Sequence, residues 1–224
     1  RDFCLSRGLG DVYKRQMTYG EYMKGVVQGE KNILFVNMAW GLGLGIIIDG
    51  NLYYGKSGFS GEFGHFCMFE NEVLCHCGKK GCLETEASGS AFHRILIERY
   101  REGSNTILAG KLDSGEEISL GDLLEAVRKE DVLCIDILEK MGVNLGKGIA
   151  GLMNIFNPEL VILGGTLSLA GEYISLPVKS AIRKYSLNLV NQDTEIKISK
   201  LGERAGAFGA CLLSRSKLLG MIHY

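Results

Sequence analysis

The apolar positions of this chain change their spacing several times. Over residues 17–29 they recur every three to four positions, which is the period of an amphipathic helix. Residues 33–38 form instead a short apolar run that is typical of a buried strand, and residues 45–54 predict a hairpin turning at Asp49, Gly50 and Asn51. The regular structure is therefore expected to begin with a helix followed by antiparallel strands.

Further along the chain, predicted helices alternate with predicted strands. The helices cover residues 87–101, 120–127, 131–156, 171–186 and 205–219, and the strands cover residues 160–163 and 194–199. Ser119 is suited to cap the second of these helices, and the polar stretch 102–117 is predicted as a surface connection. Alternating strands and helices after an initial hairpin indicate an α/β fold with a mixed sheet.

The predicted helix 131–156 contains four glycines, Gly142, Gly146, Gly148 and Gly151. Each lowers helix propensity by roughly 1 kcal/mol relative to alanine. A helix that keeps four of them is expected to use them for close packing against its neighbours and not for local stability.

The first sixteen residues look foreign to the rest. They do not begin with methionine and show neither helical nor strand periodicity, so they resemble a cloning or sequence-assembly remnant. A natural flexible terminus is the alternative interpretation. We therefore expect residues 1–16 to be a non-native or disordered terminus, and residues 17–224 to form the folded domain.

Composition narrows the class of protein. The 25 basic and 26 acidic residues give a net charge of −1, which disfavours a nucleic-acid footprint on this chain itself. No apolar run approaches the ~20 residues of a membrane-spanning helix, and no segment resembles a signal peptide. Of the seven cysteines, three lie in one loop and the others are scattered. We therefore expect a cytoplasmic protein without a disulfide framework.

The richest chemistry lies in residues 61–88. His65, Cys75, Cys77 and Cys82 fall within eighteen residues. Three thiolates and one imidazole at this spacing predict a closed zinc site of the Cys₃His kind. His76 competes as a ligand, but it stands between two cysteine ligands, where its side chain is expected to point away. Carboxylates flank the site on both sides, which suggests that the metal supports a second function.

Two glycine-rich turns are candidate phosphate sites. Alternating glycines after the strand 33–38 let backbone amides approach a ligand, and two glycines follow the strand 160–163 at an edge where open α/β sheets bind ligands. A glycine-rich bend and a tight turn, with no ligand, are the competing interpretations. The candidate phosphate-binding residues are Gly41, Gly43, Gly45, Gly164 and Gly165.

These residues resemble the ROK family of bacterial sugar kinases and sugar-responsive transcriptional repressors. The resemblance runs from residue 17 to about residue 216, and its most specific parts are GEFGH at residues 61–65 and CHCGKKGCLE at residues 75–84. Supporting matches are the pair Gly20-Glu21, the glycine run 41–45, Asp49-Gly50, and NPE at residues 157–159 leading to Gly164. The resemblance implies an actin-like, ribonuclease-H-like ATPase fold, of which this chain looks like the second lobe, with the amino-terminal lobe absent.

Family membership also implies roles for individual residues. The zinc would be structural and would shape a sugar pocket, while Glu62, His65 and Glu84 would contact the sugar. Carboxylates and a ring nitrogen suit a polyol because they form charge-assisted and oriented hydrogen bonds with its hydroxyls. A dimer is usual in the family. The alternative interpretation is that Glu62 and Glu84 are solvated charges of the loop and bind no sugar.

Two positions depart from the kinase pattern. Family kinases place a catalytic aspartate seven residues before the Gly-Glu pair, where this chain has Tyr13, and a threonine where it has Leu42. The carboxylate base and a phosphate-holding hydroxyl would both be missing, so the chain as given is expected to be inactive in phosphoryl transfer. Tyr13 lies within the foreign-looking terminus, however, whereas Leu42 does not.

Three functional hypotheses remain. The first is the sugar-binding effector lobe of a ROK-type repressor, whose DNA-binding domain would lie in the missing amino-terminal region. The second is a truncated ATP-dependent kinase for a hexose or N-acetylhexosamine, which would use ATP and magnesium. The third is a zinc-stabilised interaction domain without a small ligand. Leu42 favours the first over the second.

Overall fold

The computed structural model describes residues 7–220. Its helices are α1 (Arg7–Lys24), α2 (Glu84–Ala87), α3 (Gly89–Arg101), α4 (Ala109–Ser114), α5 (Leu120–Arg128), α6 (Val132–Phe156), α7 (Glu172–Tyr185), α8 (Asn188–Asp193) and α9 (Arg204–Leu218). Its strands are β1 (Ile33–Met38), β2 (Leu42–Ile48), β3 (Asn51–Leu52), β4 (Leu160–Gly164) and β5 (Glu195–Ile198). Two 3₁₀ turns, Phe63–His65 and Thr166–Ala170, complete the regular structure. None of the helices in this part of the chain combines the length and the apolarity needed to cross a bilayer.

The five strands form one mixed sheet in the order β3-β2-β1-β4-β5. The hairpin strands β1, β2 and β3 are antiparallel, whereas β1, β4 and β5 run parallel to one another. The parallel neighbours are joined through helices, as parallel pairs require. The sequence prediction of a mixed sheet that begins with a hairpin is therefore confirmed.

Helices cover both faces of this sheet. Leu34, Val36 and Met38 of β1 point into a core shared with α3, α5, α6 and α7. Ile33 and Phe35 point the other way, into a second core beneath α1 and α9. A strand buried on both faces must be apolar at nearly every position, which explains why β1 and β4 are short apolar runs without alternation.

Three predicted boundaries in the first half of the chain were wrong. Helix α1 begins at Arg7 and ends at Lys24, so it crosses residue 16 without a break and stops five residues before the predicted end. Just beyond its end, the amide of Val26 donates to the Glu21 carboxylate instead of continuing the helix, and Gly29 has a φ of 124°, a conformation that favours glycine. The hypothesis that residues 1–16 are foreign stays a prediction, and residues 1–6 lie outside the described part.

Strand β2 begins at Leu42, inside the glycine run that we predicted to precede the hairpin strand. The glycines pair with β1, Gly43 opposite Asn37 and Gly45 opposite Phe35. A Cβ on Gly45 would lie 1.7 Å from Thr18 Oγ1, so glycine lets α1 pack directly on this strand. The predicted surface connection 102–117 likewise contains a short helix, α4.

The later helices begin close to where they were predicted. Ser119 caps α5 by accepting the Asp122 amide, while Asp122 accepts the Ser119 amide in return and pairs with Lys111 Nζ at 2.6 Å. The Lys111 ammonium, together with the Ser119 hydroxyl and amide, lowers the pKa of Asp122 to about 2. Asp131 caps α6 by accepting the Cys134 amide.

The glycines of α6 divide into two groups. A Cβ on Gly146 would lie 2.6 Å from Ala181 Cβ of α7, and Gly142 and Gly148 are equally crowded by their neighbours. The prediction of close packing is confirmed at these three positions. Gly151 faces open space within 4 Å, so the prediction was wrong there.

Candidate functional site

Residues 61–88 form a loop that is anchored on helix α6 at two points. Phe63 and Leu83 are buried, and both would meet a Cβ placed on Gly148 of α6 at less than 3 Å. Between them the chain doubles back through isolated bridges, Cys67 with Cys82 and Leu74 with Lys80. These contacts hold together a segment that has little regular structure of its own.

Short backbone hydrogen bonds shape the tip of this loop. The Cys75 amide donates to the Lys79 carbonyl at 2.8 Å, and the Gly78 amide donates to the Cys75 carbonyl at 2.9 Å. The resulting turn has positive φ values at Gly78 (85°) and at Gly81 (75°), which glycine adopts without strain. A Cβ on Gly81 would lie 2.1 Å from the Phe69 carbonyl oxygen, so this glycine also permits a close approach.

The loop brings His65, Cys75, Cys77 and Cys82 together, as the sequence predicted. Their ligand atoms all lie within 4.8 Å of one another. Cys77 Sγ is 3.6 Å from Cys82 Sγ, and Cys75 Sγ is 3.5 Å from His65 Nδ1. Ligands of a tetrahedral site with metal–sulfur bonds of about 2.3 Å stand roughly 3.8 Å apart. The four residues therefore form a candidate metal centre.

His65 Nδ1 is the imidazole atom that faces the thiols, which leaves Nε2 for other partners. His76 is exposed and is not one of the four clustered residues, in agreement with the expectation that it points away. The histidine that the motif spacing favours, His65, is thus the one that lies with the three cysteines.

Ionisation is disfavoured at two of the three thiols of the cluster, Cys75 and Cys82, in the absence of a cation. The pKa of Cys77 is lowered instead: burial opposes its ionisation, but hydrogen bonds from the Lys79 amide and from the other two thiols outweigh burial. Burial, together with the neighbouring Cys77 and Cys75, raises the pKa of Cys82 to about 12. Burial is also the main cause of the raised pKa of Cys75. Three adjacent thiolates need compensating positive charge, which a divalent cation supplies.

Two of the three predicted sugar-binding residues meet on the exposed side of the cluster. Glu62 Oε2 lies 3.6 Å from His65 Nε2, and Glu62 Oε1 lies 2.5 Å from Lys14 Nζ. The Glu62 side chain is 43% exposed and the His65 side chain 35% exposed. Both therefore remain within reach of a ligand.

The third predicted sugar-binding residue, Glu84, joins the loop 61–88 to strand β2 of the sheet. Its Oε2 accepts the Leu42 amide at 3.0 Å, and its Oε1 lies 4.0 Å from Cys75 Sγ. A Cβ on Gly41 or on Gly64 would come within 3.1 Å of Oε2, so two glycines make room for this carboxylate. The amide of Leu42 was not anticipated as a partner, because nothing in the local sequence signals a contact across 42 residues.

A further acidic residue of the loop, Glu86, belongs to no motif in the sequence. Its side chain is only 20% exposed. It accepts Asn71 Nδ2 at 2.8 Å and pairs with Arg94 at 3.5 Å, and burial raises its pKa. Glu86 therefore ties the loop to α3 on the side away from the cluster.

Three of the five candidate phosphate-binding glycines, Gly43, Gly164 and Gly165, lie around Asn37 near the carboxyl end of β1, whereas Gly41 lies near Glu84 and Gly45 pairs with Phe35. Asn37 pairs with Gly43 on one side and with Gly164 on the other. Gly165 has a φ of 82°, and a Cβ there would lie 2.5 Å from Asn37 Oδ1. Among the described residues this oxygen is buried and accepts no hydrogen bond. A phosphate role for these glycines stays a prediction.

Two further aromatic side chains are partly exposed. Tyr13, at the position expected for a catalytic aspartate, is 45% exposed, and its ring packs on Gly206 of α9. Trp40 precedes β2, is 48% exposed, and lies with its ring centroid 5.6 Å from that of His93.

Comparison with known proteins identifies the relatives of this chain. A family model described as ROK family matches residues 13–217. A glucokinase from Halalkalibacterium halodurans is 36% identical over 191 residues, which cover 85% of this chain and 58% of that enzyme.

Two solved structures extend the likeness to three dimensions. A ROK family transcriptional regulator, described as a homolog of the E. coli MLC protein, has a TM-score of 0.82 and 33% identity, covering 91% of this chain and 50% of the regulator. A ROK family glucokinase from Streptomyces griseus, in complex with glucose and AMPPNP, has a TM-score of 0.80 and 30% identity, covering 91% of this chain and 66% of the enzyme. This chain thus spans between half and two thirds of these relatives.

These likenesses confirm the predicted actin-like, ribonuclease-H-like α/β fold. They include regulators as well as kinases, so the match in fold does not by itself separate the two activities. The family model covers nearly the whole chain, including the loop 61–88 and the glycine-containing strand β2. The chain belongs to the ROK family.

Proposed function

We propose that this chain is the sugar-binding lobe of a ROK-type transcriptional regulator. A structural zinc ion held by His65, Cys75, Cys77 and Cys82 would brace the loop, and Glu62, His65 Nε2 and Glu84 would take the hydroxyls of a sugar. Three sulfur ligands and one nitrogen in a compact tetrahedral set favour zinc over the oxygen-preferring cations.

The observation that carries the regulator assignment is the environment of Leu42. The Leu42 side chain is 7% exposed and packs in the main core, and the Leu42 amide donates to Glu84. At the position where family kinases carry threonine, this chain thus offers a phosphate group neither a hydroxyl nor a free amide. Phosphoryl transfer depends on such donors around the transferring group.

The proposal also assigns partners and location. The sugar would be the effector, DNA would be bound through an amino-terminal domain outside this chain, and two copies would form a dimer. We place the protein in the reducing cytoplasm. The six cysteines that the structure describes are all free thiols, and zinc binding by the four clustered residues requires three of these cysteines to be reduced.

A truncated ATP-dependent hexose or N-acetylhexosamine kinase is the second candidate. It is favoured by the glycines that surround Asn37, because open α/β sheets bind nucleotides at the carboxyl ends of their strands. That function would need ATP, magnesium and a carboxylate base in place of Tyr13.

The test uses the complete gene product that contains residues 17–220. We expect one zinc ion per chain, sugar binding by calorimetry, and DNA binding that the sugar weakens or strengthens. Sugar-dependent release of ADP from ATP and magnesium, without DNA binding, would replace the regulator by the kinase. Zinc-free protein with unchanged sugar affinity would refute the bracing role of the metal.

A further inference from the structure

The turn between β1 and β2 presents an exposed aromatic ring, Trp40, two residues before Leu42, whose amide binds Glu84 of the candidate sugar site. Trp40 is the single tryptophan of the chain, and nearly half of it is exposed although it lies between two buried strands. An indole ring is a large apolar surface, and leaving it in water forfeits the free energy of burial. An exposed tryptophan at a ligand site therefore suggests that the ligand covers it.

The structure holds this ring in a defined place. The Trp40 carbonyl accepts the Ser90 amide at 2.9 Å, and the Ala39 carbonyl accepts the Gly89 amide at 2.8 Å, so the turn rests on the first residues of α3. One turn further along α3, His93 contacts the indole at a ring tilt of 50°. A tilted arrangement at 5.6 Å is a favourable geometry for an aromatic pair.

The position of Trp40 links it to the carboxylates. It lies two residues before Leu42, whose amide binds Glu84, and it directly precedes Gly41, which Glu84 closely approaches. The carboxylates Glu84 and Glu62 suit a neutral polyol and disfavour the phosphates of a nucleotide. A pyranose has hydroxyls for such carboxylates and a face of carbon–hydrogen bonds for an aromatic ring.

We propose that Trp40 is the aromatic wall of the sugar site, where its indole ring packs against the carbon–hydrogen face of a bound pyranose, and that His93 positions the ring. This inference rests on the sugar-binding function proposed above. It adds a residue that the motif does not contain, and it makes the ligand class a neutral sugar in pyranose form.

Because Trp40 is the only tryptophan in the sequence of this chain, tryptophan fluorescence reports on its ring alone. The experiment titrates the full chain with D-glucose, D-xylose and N-acetyl-D-glucosamine, and follows tryptophan emission and calorimetric heat in parallel. We expect at least one sugar to change the emission with the same midpoint as its calorimetric dissociation constant. Heat without any change in emission would overturn the aromatic wall and leave the proposed function standing. The absence of heat for every sugar would count against both proposals, and an emission change with ATP alone would assign the ring to a nucleobase.

Variants separate contact from folding. Trp40→Ala should weaken sugar binding about tenfold, the factor expected when one ring face loses its buried contact, and Trp40→Phe should recover most of the loss. Tyr185→Ala is the matched control, since Tyr185 is 43% exposed and lies at the far end of α7. Metal content and thermal melting should stay unchanged in all three variants. An affinity for Trp40→Ala within twofold of the parent would overturn the proposal.

The positioning role of His93 has its own readout. His93→Ala should lower sugar affinity less than Trp40→Ala does and should reduce the fluorescence anisotropy of Trp40, because the indole loses its neighbour. His93→Phe should restore both quantities, since a phenyl ring can make the same tilted contact. Unchanged anisotropy in His93→Ala would refute the positioning role.

Discussion

Replacing Glu84 by glutamine tests the candidate sugar site most directly. The substitution keeps the size of the side chain and keeps an oxygen that can accept the Leu42 amide, which Glu84 Oε2 now binds at 3.0 Å. It removes the negative charge and turns the second oxygen, Oε1, into an amide donor. The fold and the metal ligands should therefore be preserved while the acceptor for sugar hydroxyls is lost.

The expected loss follows from the kind of hydrogen bond. A bond to a charged acceptor contributes about 1.5–3 kcal/mol, whereas a neutral one contributes about 1 kcal/mol. If a pair of adjacent hydroxyls binds this carboxylate, the loss of binding free energy is about 2 kcal/mol, which corresponds to a roughly thirtyfold higher dissociation constant. The metal content should stay the same, because Glu84 Oε1 is 4.0 Å from Cys75 Sγ and Glu84 is not one of the four clustered residues.

The assay is calorimetric titration with the sugar that binds the parent chain, and metal analysis of the same samples. Glu86→Gln is the matched control, since Glu86 lies on the same short helix, α2, but pairs with Arg94 on the side away from the cluster. We expect it to leave sugar affinity unchanged. A change of less than threefold in Glu84→Gln would remove Glu84 from the sugar site, and an equal loss in both variants would point to a general disturbance of the helix.

Three further outcomes test the loop, the packing and the charges. Cys82→Ser should lower bound zinc well below one ion per chain and expose the loop to proteolysis, as mass spectrometry can measure; full zinc content would contradict the four-ligand set. Gly146→Ala should destabilise the protein by about 2–3 kcal/mol, because the new methyl group meets α7, whereas Gly151→Ala should stabilise it by up to about 1 kcal/mol in urea unfolding; equal effects would refute the packing argument. Asp122→Asn should lower the free energy of unfolding by about 1 kcal/mol at pH 7, because the lowered pKa of Asp122 contributes stability above pH 4. The difference in unfolding free energy between variant and parent should shrink as the pH falls from 4 towards 2. A difference that stays constant with pH would exclude the charge of Asp122 as its cause.

Local signals in the sequence were sufficient where neighbouring residues decide the structure. The strand β1 and the cap of α5 at Ser119 follow from a short apolar run and from a polar residue before an amphipathic segment. The clustering of His65 with the three cysteines was predictable for the same reason, because the spacing of the cysteines already limits how the loop can close. These features need no knowledge of the rest of the fold.

Long-range packing accounts for what the sequence did not reveal. The glycines of β2 looked like a bend because nothing near them shows that Thr18 packs onto Gly45. The pairing of Glu84 with the Leu42 amide, and that of Trp40 with His93, join residues more than forty positions apart. Such contacts depend on the register and order of the strands, which a single sequence with its local periodicity does not specify.

The bond between Glu84 and the Leu42 amide has a thermodynamic consequence. Glu84 follows Cys82 by two residues, so an ion bound by the candidate ligands would order both Cys82 and the carboxylate proposed to hold the sugar. Binding free energies coupled in this way are reciprocal: whatever factor the metal adds to the affinity for sugar, the sugar adds to the affinity for metal. A sugar-responsive protein of this design would therefore lose its ion more slowly when sugar is abundant, and would respond to sugar less well when zinc is scarce.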